Sequence, residues 1–161
     1  MFFRIITRVG IAAALLVNLA GIVRAEESKH SEATPAHASS GAVTVVDVSS
    51  GDHDIDKLVK KGATTIVDIF SEACPPCRKL SPKLDQLAQK RKGLRILKLD
   101  IGTVETKEGR GINWEAPFVK KYDIHSIPHL MLYSKKAKKV SSGEEAWETV
   151  KGWLQKEKLT K

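Results

Sequence analysis

The chain has 161 residues, a formal net charge of +8, 42% hydrophobic and 29% charged residues, and two cysteines. That length holds one ordinary domain with room for a leader or tail, and the charged content argues against wholesale disorder. Two cysteines exclude a disulfide-stapled mini-fold and, on their own, a four-thiolate zinc site.

Residues 1–25 have the layout of an export signal. Arg4 and Arg8 give a positive start, Val9 to Val23 is apolar apart from Asn18 and two glycines, and Val23-Arg24-Ala25 supplies small residues where a signal peptidase cuts. The run is shorter than the roughly 20 residues a membrane span needs. The expectation is a signal peptide, with an uncleaved N-terminal anchor as the alternative, and a periplasmic or otherwise exported protein. Cleavage removes Arg4, Arg8 and Arg24 and no acid, so +8 falls to +5. The remaining basic knot, Lys135, Lys136, Lys138 and Lys139, lacks interleaved aromatics and reads as a solvated hairpin guarding a sheet edge. No nucleic-acid partner is expected.

Residues 26–41 are polar and aperiodic, a flexible linker, and the folded domain is expected over 42–161. Val43 to Val48 is a short β-branched strand, and Ile55, Leu58 and Val59 take helical spacing before Gly62. Thr64 to Phe70 (TTIVDIF) reads as a strand buried on both faces. Pro75 to Lys92 carries Leu80, Leu84, Leu87 and Ala88 on one helical stripe, with a kink expected at Pro82 and a stop at Gly93.

Leu94 to Ile101 follows as an alternating strand, and Gly102 to Asn113, polar with three glycines, as a loop. Glu115 to Tyr122 predicts a short helix, His129 to Tyr133 a strand, Val140 a brief strand, and Gly143 the start of a last helix with Ala146, Trp147, Val150 and Leu154 inward. That order, β α β α β α β β α, is an α/β sandwich around a mixed sheet.

The cysteines stand as Cys74-Pro75-Pro76-Cys77, after a buried strand and at the start of a helix. On a first helical turn this spacing lets the sulfurs meet. Cys74 falls at the N-cap, where free N–H groups and the dipole favour a thiolate, and Pro75 takes the first helical position at no cost. Cys77, a turn deeper, is placed to attack a mixed disulfide on Cys74. A purely structural staple is the weaker reading, because so short a loop removes little unfolded-state entropy. A metal site would need two further ligands, for which His125 and His129 lack finger spacing. Redox activity is the expectation.

The stretch Asp68 to Pro82 (DIFSEACPPCRKLSP) resembles the active-site region of the thioredoxin family, and the likeness extends over roughly residues 43–156. Asp68, six residues before Cys74, matches the family's buried acid, and Lys98 the lysine near that acid. Ile127-Pro128 matches the cis-proline loop and Gly143 the glycine before the last helix. The resemblance implies an α/β, thioredoxin-like three-layer sandwich with a central mixed β-sheet flanked by helices. It implies catalysis by Cys74, Cys77, Asp68 and Lys98, and substrate binding along Ile127, Pro128, Pro75 and Pro76, with no metal or cofactor. Asp68 would exchange a proton with Cys77, unless it is merely a buried acid paired to Lys98.

The expected function is thiol–disulfide exchange with protein disulfide or dithiol substrates, in the reductive direction on specific partners, by a monomer recharged from a membrane electron donor. The alternative is a thioredoxin-fold binding or chaperone module with regulatory or metal-carrying cysteines. Ala73 departs from the family's tryptophan, Pro75-Pro76 from its Gly-Pro, and the segment 102–113 is roughly ten residues longer than usual. His129 is expected to be a strand residue pointing away from Cys74, and Trp114 to anchor the following helix.

Overall fold

The computed structural model describes residues 42–160. The expected leader, 1–25, and the expected linker, 26–41, lie outside the described residues. Eleven elements follow in order: β1 (Val43–Asp47), α1 (Ile55–Leu58), β2 (Thr64–Phe70), α2 (Pro75–Lys90), β3 (Leu94–Asp100), β4 (Thr103–Thr106), β5 (Gly109–Ile112), α3 (Pro117–Lys121), β6 (His129–Tyr133), β7 (Lys139–Ser142) and α4 (Glu144–Lys156).

Five strands form a mixed sheet in the order β1-β3-β2-β6-β7. β1 and β2 run parallel to β3, with Asp68 level with Lys98, whereas β6 is antiparallel to both β2 and β7. The β-branched run of β2 is central, and six of its seven residues are buried. β3 was expected to alternate, but lying between β1 and β2 it is covered on both faces, and only Arg95 and Asp100 are partly open.

The two-residue period of the strands divides the core between the faces of the sheet. Val67, Ile69, Leu97, Leu99 and Met131 pack with Ile55 of α1 and Phe118 and Val119 of α3. Ile66, Ile96, Leu130 and Leu132 pack with Leu80, Leu84 and Leu87 of α2 and Val150 and Leu154 of α4. The result is a helix–sheet–helix sandwich. The lysine knot forms the turn into the edge strand β7, where charge protects an unpaired edge.

Helix α2 continues through Pro82. Pro82 and Arg78 both face solvent, so the Arg78 carbonyl that loses its intrahelical donor is open to water. The segment 102–113 is not a structureless loop: β4 and β5 pair as an antiparallel hairpin, a second two-stranded sheet. Among the described residues no helix is long and apolar enough to cross a membrane.

Candidate active site

β2 delivers its chain to the end of the sheet, and the turn Ser71–Ala73 feeds straight into α2. Cys74 is the N-cap of that helix in extended backbone conformation, with proline in the first turn. The Cys77 N–H donates to Cys74 Sγ at 3.2 Å, so one of the helix's orphan donors is spent on the sulfur. The two cysteines are joined by a disulfide, S–S 2.14 Å and Cα–Cα 5.3 Å. Both pack against Phe70, and Ile112 and Ile127 pack on that cluster. Cys77 is fully buried, and Cys74 is only 2% exposed.

The Ile127–Pro128 peptide bond is cis. The Ile127 carbonyl oxygen lies 3.8 Å from Cys74 Sγ, and Ile127 and Pro128 are half-buried at the rim. Pro75 and Pro76 are exposed beside it. The rim beside the cysteine pair therefore combines an apolar side chain with backbone polar groups.

Two residues before Phe70 on the same strand, Asp68 is completely buried, and neither carboxyl oxygen has a hydrogen-bond partner. Burial pushes its carboxyl up to about 7, against the pull of the Lys98 ammonium and with a further push from the Asp85 carboxylate. The alternative reading, a buried acid simply paired to Lys98, is not what the side chains form. Lys98 Nζ instead donates to Ser81 Oγ at 2.6 Å and makes its ion pair with Asp85. Ser81 and Asp85 lie one turn apart on α2, and together they hold the ammonium toward the helix and away from β2.

A buried acid thus lies behind a CxxC disulfide at a strand-to-helix turn, with a cis-proline across from it. Residues 45–157 match the family model described as Thioredoxin. The chain belongs to the thioredoxin family. It is similar to the thioredoxin of Pseudomonas aeruginosa, 32% identical over 90 residues that cover 55% of this chain and 72% of that protein. Among solved structures it is similar to spinach chloroplast thioredoxin f (21% identity, 72% and 93% of the two chains, TM-score 0.49). It is similar too to Trypanosoma brucei brucei thioredoxin (14%, 70% and 89%, TM-score 0.46). As a thioredoxin-family member with a CxxC pair at disulfide distance, it is a thiol–disulfide oxidoreductase.

The remaining candidates of this thioredoxin domain have structural partners. His129 is half-buried on β6 and shares a 3.0 Å hydrogen bond with Ser142 Oγ, and burial, aided by Lys139, holds its ring below the usual histidine range. His125 sits exposed beside Asp123 at 2.9 Å. Among the described residues, no group of three or more His, Cys, Asp or Glu side chains is arranged to hold a metal ion. Trp114, 39% exposed, lines a surface cleft with Val119 and Ile124 of the α3 region.

Four residues at the site carried no sequence signal that singled them out. Ser71 is wholly buried: its hydroxyl donates to the Gly102 carbonyl at 2.8 Å and accepts from the Ala73 N–H at 3.2 Å. Ser81 and Asp85 flank the apolar stripe of α2, and their polar i, i+4 spacing was the available clue. Ile112 was hidden in a segment read as loop.

Proposed function

We propose that the protein is an exported disulfide reductase that acts on specific partner proteins. Cys74 as thiolate attacks one sulfur of a substrate disulfide, the substrate's other sulfur leaves as thiol after taking a proton, and a mixed disulfide remains on Cys74. Cys77, giving its proton to the Asp68 carboxylate, then attacks Cys74 Sγ and releases the second substrate thiol. Two electrons pass to the substrate, and the enzyme is left with the Cys74–Cys77 disulfide. Turnover therefore requires a dithiol donor, proposed to be a membrane electron carrier facing the same compartment. Lys98 is assigned to setting the charge around Asp68.

The observation that carries this reading is the Cys74–Cys77 disulfide at the N-terminus of α2, with the Cys77 N–H aimed at Cys74 Sγ. Export is supported by the layout of residues 1–25 and by a chain whose two cysteines both belong to one motif. The reductive direction is supported by the unpartnered Asp68, whose carboxylate is available near neutral pH to receive the Cys77 proton. Ile127, Pro128, Pro75 and Pro76 are assigned to the substrate-facing rim, and the enzyme is proposed to act as a monomer.

Insulin-disulfide reduction by the wild type and by Cys74→Ser tests the reading. Activity in the wild type alone is expected, and equal activity in both would sink it. The potential of the Cys74–Cys77 couple, equilibrated against glutathione, tests the direction. A strongly oxidising value would reverse it.

A further inference from the structure

A two-stranded hairpin standing by itself in water is marginal, so the β4–β5 hairpin must be held by what lies at its base. Most of it faces solvent, including every residue from Val104 to Arg110. Two of its anchors lead toward the cysteines. The Gly102 carbonyl accepts from Ser71 Oγ at 2.8 Å, and the same hydroxyl accepts from the Ala73 N–H, so one buried side chain ties the hairpin to the turn that presents Cys74. The Gly102 N–H donates to Asp100 Oδ1 at 2.8 Å, and the Asn113 N–H returns to the Gly102 carbonyl at 3.3 Å. At the end of β5, half-buried Ile112 packs on two groups, the cluster of Phe70, Cys74 and Cys77 and the core around Leu99 and Phe118.

This attachment bears on an otherwise puzzling exposure. Cys74 sits at a helix start between the exposed residues Glu72, Pro75 and Pro76, with only the short side chain of Ala73 next to it, and yet is 2% exposed. The apolar groups packed on its cluster from outside are Ile127, from the cis-proline loop, and Ile112, from the hairpin.

We propose that the hairpin is a specificity-determining wall of the active site, in which Ile112 screens Cys74 and makes the approach to its sulfur apolar. A substrate disulfide then reaches Cys74 by passing Ile112 and Ile127. A disulfide flanked by apolar side chains gains contact there, whereas a small charged one loses hydration without compensation. The inference rests on Cys74 as the attacking thiol.

The test is alkylation of Cys74 by iodoacetamide in the reduced protein, with Cys77 distinguished by peptide mapping, across the titration range of the thiol. A changed thiol affinity for protons displaces the midpoint, whereas lost screening raises the plateau at unchanged midpoint. Ile112→Ala should raise the plateau about fivefold, through exposure alone. Ile112→Phe should lower it, and Val104→Ala, altering an exposed hairpin residue, should leave it at the wild-type rate. Glutathione disulfide should oxidise the reduced Ile112→Ala variant faster than the reduced wild type. An unchanged plateau in Ile112→Ala would overturn the proposal, as would an equal rise in Val104→Ala. Alkylation needs no turnover, so a chain that alkylates as expected but leaves insulin intact would defeat the reductase reading and not the screen.

Discussion

Lys98 stands level with Asp68 on neighbouring parallel strands, and its ammonium nevertheless bonds to α2 rather than to the carboxyl beside it. Two consequences follow for Asp68: it stays without a hydrogen-bond partner, and burial dominates its ionisation.

The first prediction concerns stability. The Asp68 carboxyl ionises near its ordinary 3.8 in the unfolded chain and at about 7 in the folded one. Below about pH 4 both states hold the proton and no penalty arises. As pH rises through the window between these values, the unfolded chain loses its proton first, and stability falls until the folded carboxyl also ionises. The total is of the order of 4 kcal/mol at about 1.4 kcal/mol per unit. Asp68→Asn should lack this slope and be more stable than wild type above neutrality. Guanidinium midpoints of the two proteins measured over pH will show it, and parallel profiles would contradict it.

Lys98→Met should push the Asp68 carboxyl further up. The variant removes the positive charge that draws it down and leaves the Asp85 carboxylate, which acts in the opposite sense, uncompensated. Carbon-detected titration of the Asp68 carboxyl should give an alkaline shift in Lys98→Met and a smaller one in Lys98→Arg, which keeps the charge. A Lys98→Met curve superimposable on wild type would show that the ammonium is too well screened to matter.

Much of the site was legible because its signals are local. TTIVDIF is the β-branched apolar run of a doubly covered strand, and Cys-Pro-Pro-Cys carries its own helix-start chemistry. The hairpin was not legible, since TVET and GRGI are short, largely exposed and glycine-broken. What holds it is distant in sequence: Ser71, thirty-one residues before Gly102, and the clusters on which Ile112 packs. Whether Lys98 pairs with Asp68 was not legible for a similar reason. Neighbouring positions on two strands are readable from sequence patterns, but the competing claim of Ser81 and Asp85 depends on how α2 lies over the sheet.

Ser71→Ala should destabilise the protein by about 1–3 kcal/mol, more than a surface serine would. The change takes the shorter of two donors from the Gly102 carbonyl, leaving it the Asn113 N–H alone, and leaves the Ala73 N–H without its acceptor beside a buried position. Urea unfolding of the oxidised protein measures the loss. A cost within error of zero would mean that neither bond contributes in water.

Gly102→Ala should cost more than Gly93→Ala, although the two glycines have nearly the same backbone, φ +80° and +77°. In each, an alanine must adopt the left-handed conformation, at roughly 1–2 kcal/mol. At Gly93 nothing lies within 4 Å of the added Cβ, so the conformational cost stands alone. At Gly102 the new methyl would meet Ser49 Cβ at 2.6 Å, closer than two carbons can pack, and Ser49 belongs to the segment between β1 and α1. The hairpin base must therefore shift as well, which disturbs the Ser71 and Asp100 hydrogen bonds that hold it. Adding Ser49→Gly removes the steric part and leaves the conformational part. The double variant should consequently fall to the stability of Gly93→Ala, corrected for the effect of Ser49→Gly by itself. Equal losses in Gly102→Ala and Gly93→Ala would show that the base yields without cost.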